Sequence, residues 1–584
     1  LFFGHARLSI IDLSSKGRQP MISNCKRYCI TFNGEIYNYV ELRENLKKRG
    51  IIFNTNTDTE VLLNLWSAYG LKGLKKIIGM FAFAIYDNEK KSITIVRDAF
   101  GIKPLFFYKN KKLFCFASEI KALKALLSKK IDLNLKSSCE YLLWGLYDYR
   151  KETFLKDIYN LLPGHYLTIK LNSKSGLKFE ENQVRWWWPS IKVNRSISYK
   201  DAVSKVREIF LKNIKLHLRS DVPIGINLSG GVDSSAITSC VRYLDPKLPI
   251  HTFSYIPVGN NLSEEKWIDL VNNHVNAIPH KVYLKDDELY KDLIKTIDFQ
   301  GEPFGSSSIL AQYKVFETAK KHGIKVILDG QGADELLAGY NGYVDSYSLS
   351  LINNSKYYKL LKFLGNWINL PGRNLKLLSL YIGNAIIPFT LKTFARYLIG
   401  QSSNPSWLNL DYLKKNDIEL SYPKDIEKTS DSHGRQLMFK LRDAVTRNGL
   451  SALLRHADRN AMRWSIENRV PFLTIELAEF LLSLPESFIL SEKAITKNIF
   501  RDSMIGIVPK EILERKDKIG FDAPDKIILK TIFEKNIHIQ ENKNFNLILK
   551  QDKSINFITN IINSSRKYDA RAWRIMNFML WHKI

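Results

Sequence analysis

The sequence predicts two architectures in succession. Residues 1–170 read as an α+β layered sandwich and residues 199–584 as an α/β parallel sheet with a mostly helical C-terminal part, with residues 171–198 as a linker. Three observations predict this. A chain of 584 residues is too long for one ordinary core. Its front reads as hairpins with few helices between them, the pattern of layered α+β structure. From about residue 200, short apolar strands alternate with helices, the pattern of a wound parallel sheet.

The elements follow in order. "RYCITF" is an apolar strand running into Asn33-Gly34. Asn38 is placed to cap a helix from Tyr39 to Arg49 that stops at Gly50, and a second helix runs from about Thr59 to Tyr69. "MFAFAIYD" and "SITIVRD" are strands joined at Asn88–Lys91, and "PLFFY" and "LFCFAS" form another hairpin. A helix over Tyr199–His217 leads to the strand "IGINL", a glycine loop and a helix from about Ser234. Further strands are "IHTFSY", "HKVYL" and "IKVILD", and residues from 341 to about 500 read as helices. There is no internal repeat.

Composition narrows the function classes. Hydrophobic residues make up 45% and aromatics 12%, which supplies real cores and excludes a disordered chain. The net charge of +28 suits either a nucleic-acid or membrane partner or a lysine-rich surface. No compact basic run appears, so the surface reading is preferred, with no nucleic-acid and no membrane partner expected. The five scattered cysteines fit reduced thiols and a cytoplasmic location. Leu377 to Leu391 is the longest apolar stretch; it is too short to span a bilayer and reads as buried helix. The chain opens with Leu1 in what looks like mid-domain sequence, so an upstream segment is expected.

The chemistry starts at "LSGGVDSS", Leu228–Ser235, between a strand and a helix. Ligands of such sheets bind where strands end. Gly230 and Gly231 let the backbone approach an anion, while Ser229, Ser234 and Ser235 add hydroxyls and the helix start adds its positive end. No lysine follows the glycines, so this is not GxxxxGK[ST]. Asp233 would repel a phosphate unless a cation intervened, so the loop asks for a metal-bound polyphosphate. A second strand ends in "GQGADE", Gly330–Glu335, and Asp233 and Asp334 are positioned to share Mg²⁺. Gly-Gly by itself would read as a tight turn, but with Ser before, Asp-Ser-Ser after and the strand–helix context the functional reading leads. Asp334-Glu335 taken singly reads as a helix-start charge pair, and the pairing of two similar loops favours function for it too.

SGGVDSS resembles the loop of enzymes that split ATP into AMP and pyrophosphate. With "LDGQGADELLAGY", "LLRHADRNAMRWSIENRVPFLTIELAEFLLSLP" and "RKDKIGF", it resembles the synthetase half of the asparagine synthetase family. "GHARLSIIDLS", "FNGEIYNY", "TDTEV", "GMFAFAIYD" and "RDAFGIKPLFFY" resemble the glutaminase half of the same family, so the resemblance covers almost the whole chain. It implies an Ntn-type sandwich joined to an ATP-pyrophosphatase domain. It also implies ATP and Mg²⁺ as cofactors, with amidation of a carboxylate through an acyl-adenylate. On that basis Leu228, Ser229, Gly230, Gly231, Asp233, Ser234, Ser235, Tyr255, Asp329 and Gly330 would bind ATP, with Asp233 and Asp334 on the metal and Lys518 neutralising phosphate charge. Tyr255 departs from the small aliphatic residue usual there. Glu302 in "GEPFGSSS" matches an acidic position near the acceptor, as a base or simply as a surface acid. Arg455, Asp458 and Arg459 suit substrate carboxylates or, preferably, a structural ion pair in a helical bundle.

In the front half the resemblance implies a glutamine site. Arg7 would meet the α-carboxylate, Glu35 and Asp58 the α-ammonium, and Asn33 and Gly34 the oxyanion, although Asn-Gly after a strand is also a plain turn. The family's nucleophile is an N-terminal cysteine. None of the five cysteines stands in its context, so this polypeptide is expected not to hydrolyse glutamine. The substrates implied are ATP, glutamine or ammonia, and aspartate; a homodimer is compatible. Two alternatives stay open: the same chemistry on a sugar or surface-polysaccharide carboxylate, and an RNA-modifying adenylating enzyme. Gln331 and Ala338 stand where asparagine makers often carry Glu and Gly.

Overall fold

The computed structural model describes residues 1–128, 131–173, 176–179, 182–257, 264–387, 404–423, 434–516, 524–535, 548–564 and 568–583. The front half holds β1 (Met21–Ile22), β2 (Tyr28–Ile36), α1 (Tyr39–Lys47), α2 (Asp58–Tyr69), β3 (Gly79–Asp87) and β4 (Ser92–Arg97). These are followed by β5 (Phe106–Lys109), β6 (Phe114–Ala117), β7 (Ile158–Asn160), β8 (His165–Ser173), β9 (Gly176–Phe179) and β10 (Val184–Arg185). An antiparallel seven-stranded sheet, β1-β2-β3-β4-β8-β10 with β9 on β8, faces a three-stranded sheet, β6-β5-β7.

Strand β3 shows why the layers form. Its side chains alternate between faces. Phe81, Phe83 and Ile85 pack with Leu42, Leu46, Leu62 and Trp66 of α1 and α2. Ala82 and Ala84, on the other face, pack with Leu105, Phe107 and Leu161. Helices, large sheet and small sheet therefore stack in that order, as the hairpin pattern predicts.

Two details differ from the sequence reading. Residues 171–198 are not simply a linker, because β9 and β10 lie there and extend the front sheet by pairing with β8. Asn38 does not cap α1 with its side chain. Its amide donates to Lys76 O and its Oδ1 accepts from Ile78 N, which ties the helix start to the approach to β3.

The back half begins with α3 (Tyr199–His217), β11 (Ile224–Asn227) and α4 (Val232–Leu244), then β12 (His251–Tyr255), β13 (Ile278–Val282) and β14 (Val326–Leu328). Later come α5 (Tyr357–Ile368), α6 (Leu375–Ile386), α7 (Leu450–Arg463) and β15 (Glu467–Arg469). The strands are all parallel, in the order β13-β12-β11-β14-β15. The connections run one way from β11 and the other way from β14, so the sheet's switch point falls between these neighbours. The two glycine loops leave the sheet there, side by side. No helix among the described residues is long and apolar enough to cross a membrane. The apolar stretch from Leu377 is only partly the buried helix expected: Leu378 of α6 is buried while Leu380 is exposed.

Candidate functional site

Main-chain contacts fix the first loop. Leu228 is buried and its N–H donates to Phe253 O at 2.9 Å, carrying the β11–β12 pairing one residue further. Gly230 holds φ +76°, and a Cβ there would stand 2.9 Å from Trp267 Cβ, so both conformation and space require glycine. The N–H groups of Ser229 and Gly231 donate to Ser234 Oγ and Ser229 Oγ at 3.2 and 3.4 Å. Ser235 is fully buried and its Oγ has no hydrogen-bond partner among the described residues. Arg515, the first residue of RKDKIGF, donates to Gly230 O at 3.0 Å and to Glu264 at 2.6 Å, and its guanidinium lies over Trp267.

The second loop leans on the first. Asp329 N donates to Arg469 O at 2.8 Å, and its carboxylate accepts from Asn227 Nδ2 at 3.2 Å. Burial holds the Asp329 carboxyl above its usual range. A Cβ on Gly330 would lie 3.3 Å from Asp233 Cβ, so the missing side chain lets the loops close together. Asp334 follows Gly332 in a single helical turn, Ala333–Leu336.

The two aspartates do converge, and a lysine that the sequence reading overlooked stands between them. Lys497 Nζ ion-pairs with Asp233 and with Asp334, the latter at 2.7 Å. Lys497 is buried, and burial pulls its pKa down, but the two carboxylates outweigh that and hold it above the ordinary value. Gly339 makes the room: a Cβ there would meet Asp334 Oδ1 at 1.7 Å and Lys497 Cε at 2.6 Å. Asp233 Oδ1 is buried with no hydrogen-bond partner among the described residues, so the pair retains an acceptor for a further cation. No group of three His, Cys, Asp or Glu side chains gathers as a metal site among the described residues.

Other expected residues lie elsewhere. Lys518 is outside the described residues. Tyr255 ends β12, half-buried among side chains of two apolar clusters. Glu302 is not a surface acid: it is buried, accepts from Phe154 N at 3.0 Å and lies 3.5 Å from Arg455. Burial pushes its carboxyl up to about 7, against the pull of Arg455. Among the described residues its hydrogen-bond and ion-pair contacts are with these groups and not with the two glycine loops.

The seam between the halves is ionic. Lys103 pairs with Asp458 at 2.9 Å, Arg459 with Glu119 at 2.7 Å and Arg455 with Asp148 at 2.6 Å. These contacts fit the ion-pair reading of α7, with Lys103, Glu119 and Asp148 contributed by the front half and Glu302 and the Asp458–Arg459 pair by the back half.

In the front half Asn33 and Gly34 do not make a turn. They are interior residues of β2, paired with Ala82 and Phe81. Gly34 holds φ +151°, and a Cβ would meet Met80 O at 2.0 Å. Asn33 Nδ2 donates to Ser118 Oγ at 3.2 Å. Arg7 donates to the carbonyls of Ile11, Asp12 and Ser14, and Asp12 accepts from Asn56 N near Asp58. Glu35 and Asp58 are both buried. Burial and each other's charge hold Glu35 well above its usual range, while burial takes Asp58 up to about 6. Arg469 of β15, fully buried, reaches Glu35 at 3.7 Å and Glu467 at 2.7 Å. One residue thus touches Glu35 with its side chain and the Asp329 loop with its carbonyl.

A front sandwich with paired buried carboxylates, joined by buried ion pairs to a twin-loop nucleotide sheet, has the form of a two-domain amidotransferase. Residues 1–186 match the glutamine amidotransferase domain model and residues 205–583 the asparagine synthase model. Asparagine synthetase [glutamine-hydrolyzing] 1 of Bacillus subtilis is 31% identical over 100% of this chain and 89% of its own length. A putative asparagine synthetase [glutamine-hydrolyzing] 2 of Methanocaldococcus jannaschii is 32% identical over 62% of this chain and 71% of that protein. Amidase chry2 of Gibberella zeae is 28% identical over 59% and 52%. The chain belongs to the asparagine synthetase family.

Proposed function

We propose that this protein makes a carboxamide from a carboxylate at the expense of ATP, with aspartate as the acceptor and asparagine as the product. The observation that supports this best is the meeting of Asp233 and Asp334 on one buried lysine, at the switch point of the sheet and beside the glycine loop. A carboxylate oxygen of the acceptor attacks the α-phosphorus of ATP and pyrophosphate leaves. Ammonia then attacks the acyl carbon, the carbon–oxygen bond breaks, and AMP departs with that oxygen. Charge grows on the departing pyrophosphate, where Lys497 and the loop N–H groups oppose it. Asp233 and Asp334 would hold Mg²⁺, which when bound neutralises polyphosphate charge.

Glu302, with its raised pKa, is suited to take the proton that ammonia sheds at neutral pH. Glu35 and Asp58 would hold glutamine's α-ammonium and Arg7 its carboxylate. The described cysteines are all unpaired, which fits the proposed cytoplasmic location.

A second acceptor is kept open by two departures. Gln331 offers no carboxylate, and Ala338 holds φ +53°, a conformation glycine adopts more easily. A sugar carboxylate would use the same loops. The test is a panel of carboxylates with ATP, Mg²⁺ and ammonium, following pyrophosphate. Turnover with aspartate alone supports the reading; turnover with sugar acids alone replaces the acceptor; ADP and orthophosphate as products refute adenylation.

A further inference from the structure

Helices α5 and α6 present a surface that neither site uses. In α5, Leu360, Phe363, Leu364 and Trp367 pack inward. Tyr358 and Leu361 lie on the opposite side at helical spacing and are 79% and 71% exposed. In α6, Leu378 is buried, while Leu375 and Leu380 are 70% and 53% exposed. Both helices therefore carry apolar side chains on the water side, where a helix of a globular protein is normally polar.

The charge carried by these two helices has one sign. From Ser346 to Leu410 the sequence contains no Asp and no Glu. Lys356, Lys359, Lys362 and Lys376 are exposed beside the apolar side chains. Among the described residues, Glu492 pairs with Lys359 at 2.7 Å and Lys362 at 3.3 Å. Arg373 is committed, over the ring of Trp367 and to Asn341.

We propose that α5 and α6 seat this protein on the surface of an anionic lipid bilayer. Exposed leucines and a tyrosine among lysines suit the headgroup–acyl boundary, where hydrocarbon is buried and ammonium groups meet lipid phosphates. A second copy is disfavoured, because a two-fold contact would set these lysines against themselves. A nucleic acid is disfavoured because Leu361, Leu375 and Leu380, three of the four exposed apolar side chains named, give no flat stacking surface beside Tyr358. The docking is peripheral, since no described helix is long and apolar enough to span. The sequence reading expects no membrane partner because no compact basic run appears; here the lysines are spread along two helices rather than gathered in one run.

The test is co-sedimentation of the purified protein with phosphatidylcholine vesicles with and without a quarter phosphatidylglycerol. Binding is expected on the anionic vesicles and to fall as salt rises. Tyr358→Ser/Leu361→Ser/Leu375→Ser/Leu380→Ser should abolish it without moving the melting temperature, because these side chains are already in water. Lys356→Gln/Lys376→Gln should weaken partitioning by more than about tenfold, at about fivefold per charge. Lys90→Gln/Lys112→Gln in the front sandwich controls for overall basicity and should change it little. The proposal is overturned if the leucine variant binds as before, if the control pair weakens binding as much, or if no vesicle binds. It is equally overturned if the leucine variant instead dissolves a dimer or releases a single-stranded RNA.

Discussion

Replacing Lys497 with methionine keeps the length of the side chain and removes its charge. In the protein as it stands, Nζ pairs with Asp233 and, at 2.7 Å, with Asp334, whose side chains are only 16% and 18% exposed. The variant leaves two largely buried carboxylates facing each other with no cation between them. Breaking a buried pair in this way costs about 3–5 kcal/mol. Partial exposure of both aspartates places the expected loss of stability near the lower figure, about 3 kcal/mol. Millimolar Mg²⁺ should restore much of it, because the ion supplies the missing positive charge between the same oxygens. Turnover should not recover with it. A fixed donor that opposes charge on the leaving group contributes about 10²–10³ in kcat, and the ion cannot replace a group that acts alongside it. The assay is thermal unfolding with and without Mg²⁺, paired with pyrophosphate release from ATP, ammonium and aspartate. A variant that melts like the parent, ignores Mg²⁺ and turns over normally would refute the reasoning about this cluster.

Other expectations rest on particular contacts. Glutamine affinity should fall as pH drops through about 6, because Asp58, raised to about 6, must be ionised to hold an ammonium. Asp58 alone gives about a fourfold weaker Kd at pH 5.5 than at 7.5, readable by calorimetry. The linked stability runs the other way: with its folded pKa above the unfolded one, Asp58 stabilises the fold most below about 4 and that contribution is lost as pH rises through 6. Lys103→Met should destabilise by less than the about 3–5 kcal/mol of a fully stranded buried charge, because Asp458 loses Lys103 across the seam but keeps Arg459 at 2.8 Å. Adding Asp458→Leu should recover most of that, as measured in a double-mutant denaturation cycle. Glu302→Gln should lower kcat by about 10²–10⁴ and remove the limb of the pH–rate profile near 7, if Glu302 carries the proton; an unchanged profile assigns it to structure alone.

Much of the fold was legible because its signals are local. The alternation in "MFAFAIYD" marks β3 and both its packing faces, and "SGGVDSS" after a strand marks the loop at the sheet's edge. Strand β15 was not legible, since three residues are too few to show a period and it forms only because Val326–Leu328 offers an edge. Lys497 was overlooked for a related reason. It holds φ +57° ahead of a short helix, far along the chain from both loops, with no glycine to mark the spot. The available signal was a lone charged residue in the run "AITKNIF". The partners of Glu35 and Asp458 were hidden because each contact crosses between the two halves, and neither half's pattern records the other. Asn33-Gly34 was ambiguous for the opposite reason: a turn and a strand with a glycine forced by a neighbouring carbonyl look alike in sequence.

The central claim is that an acceptor oxygen displaces pyrophosphate from ATP gripped between the two strand ends. Supplying aspartate labelled with oxygen-18 in its side-chain carboxylate, with ATP, Mg²⁺ and ammonium, and weighing the AMP formed tests it most directly. The account predicts one labelled oxygen in each AMP; unlabelled AMP, or ADP in its place, contradicts it.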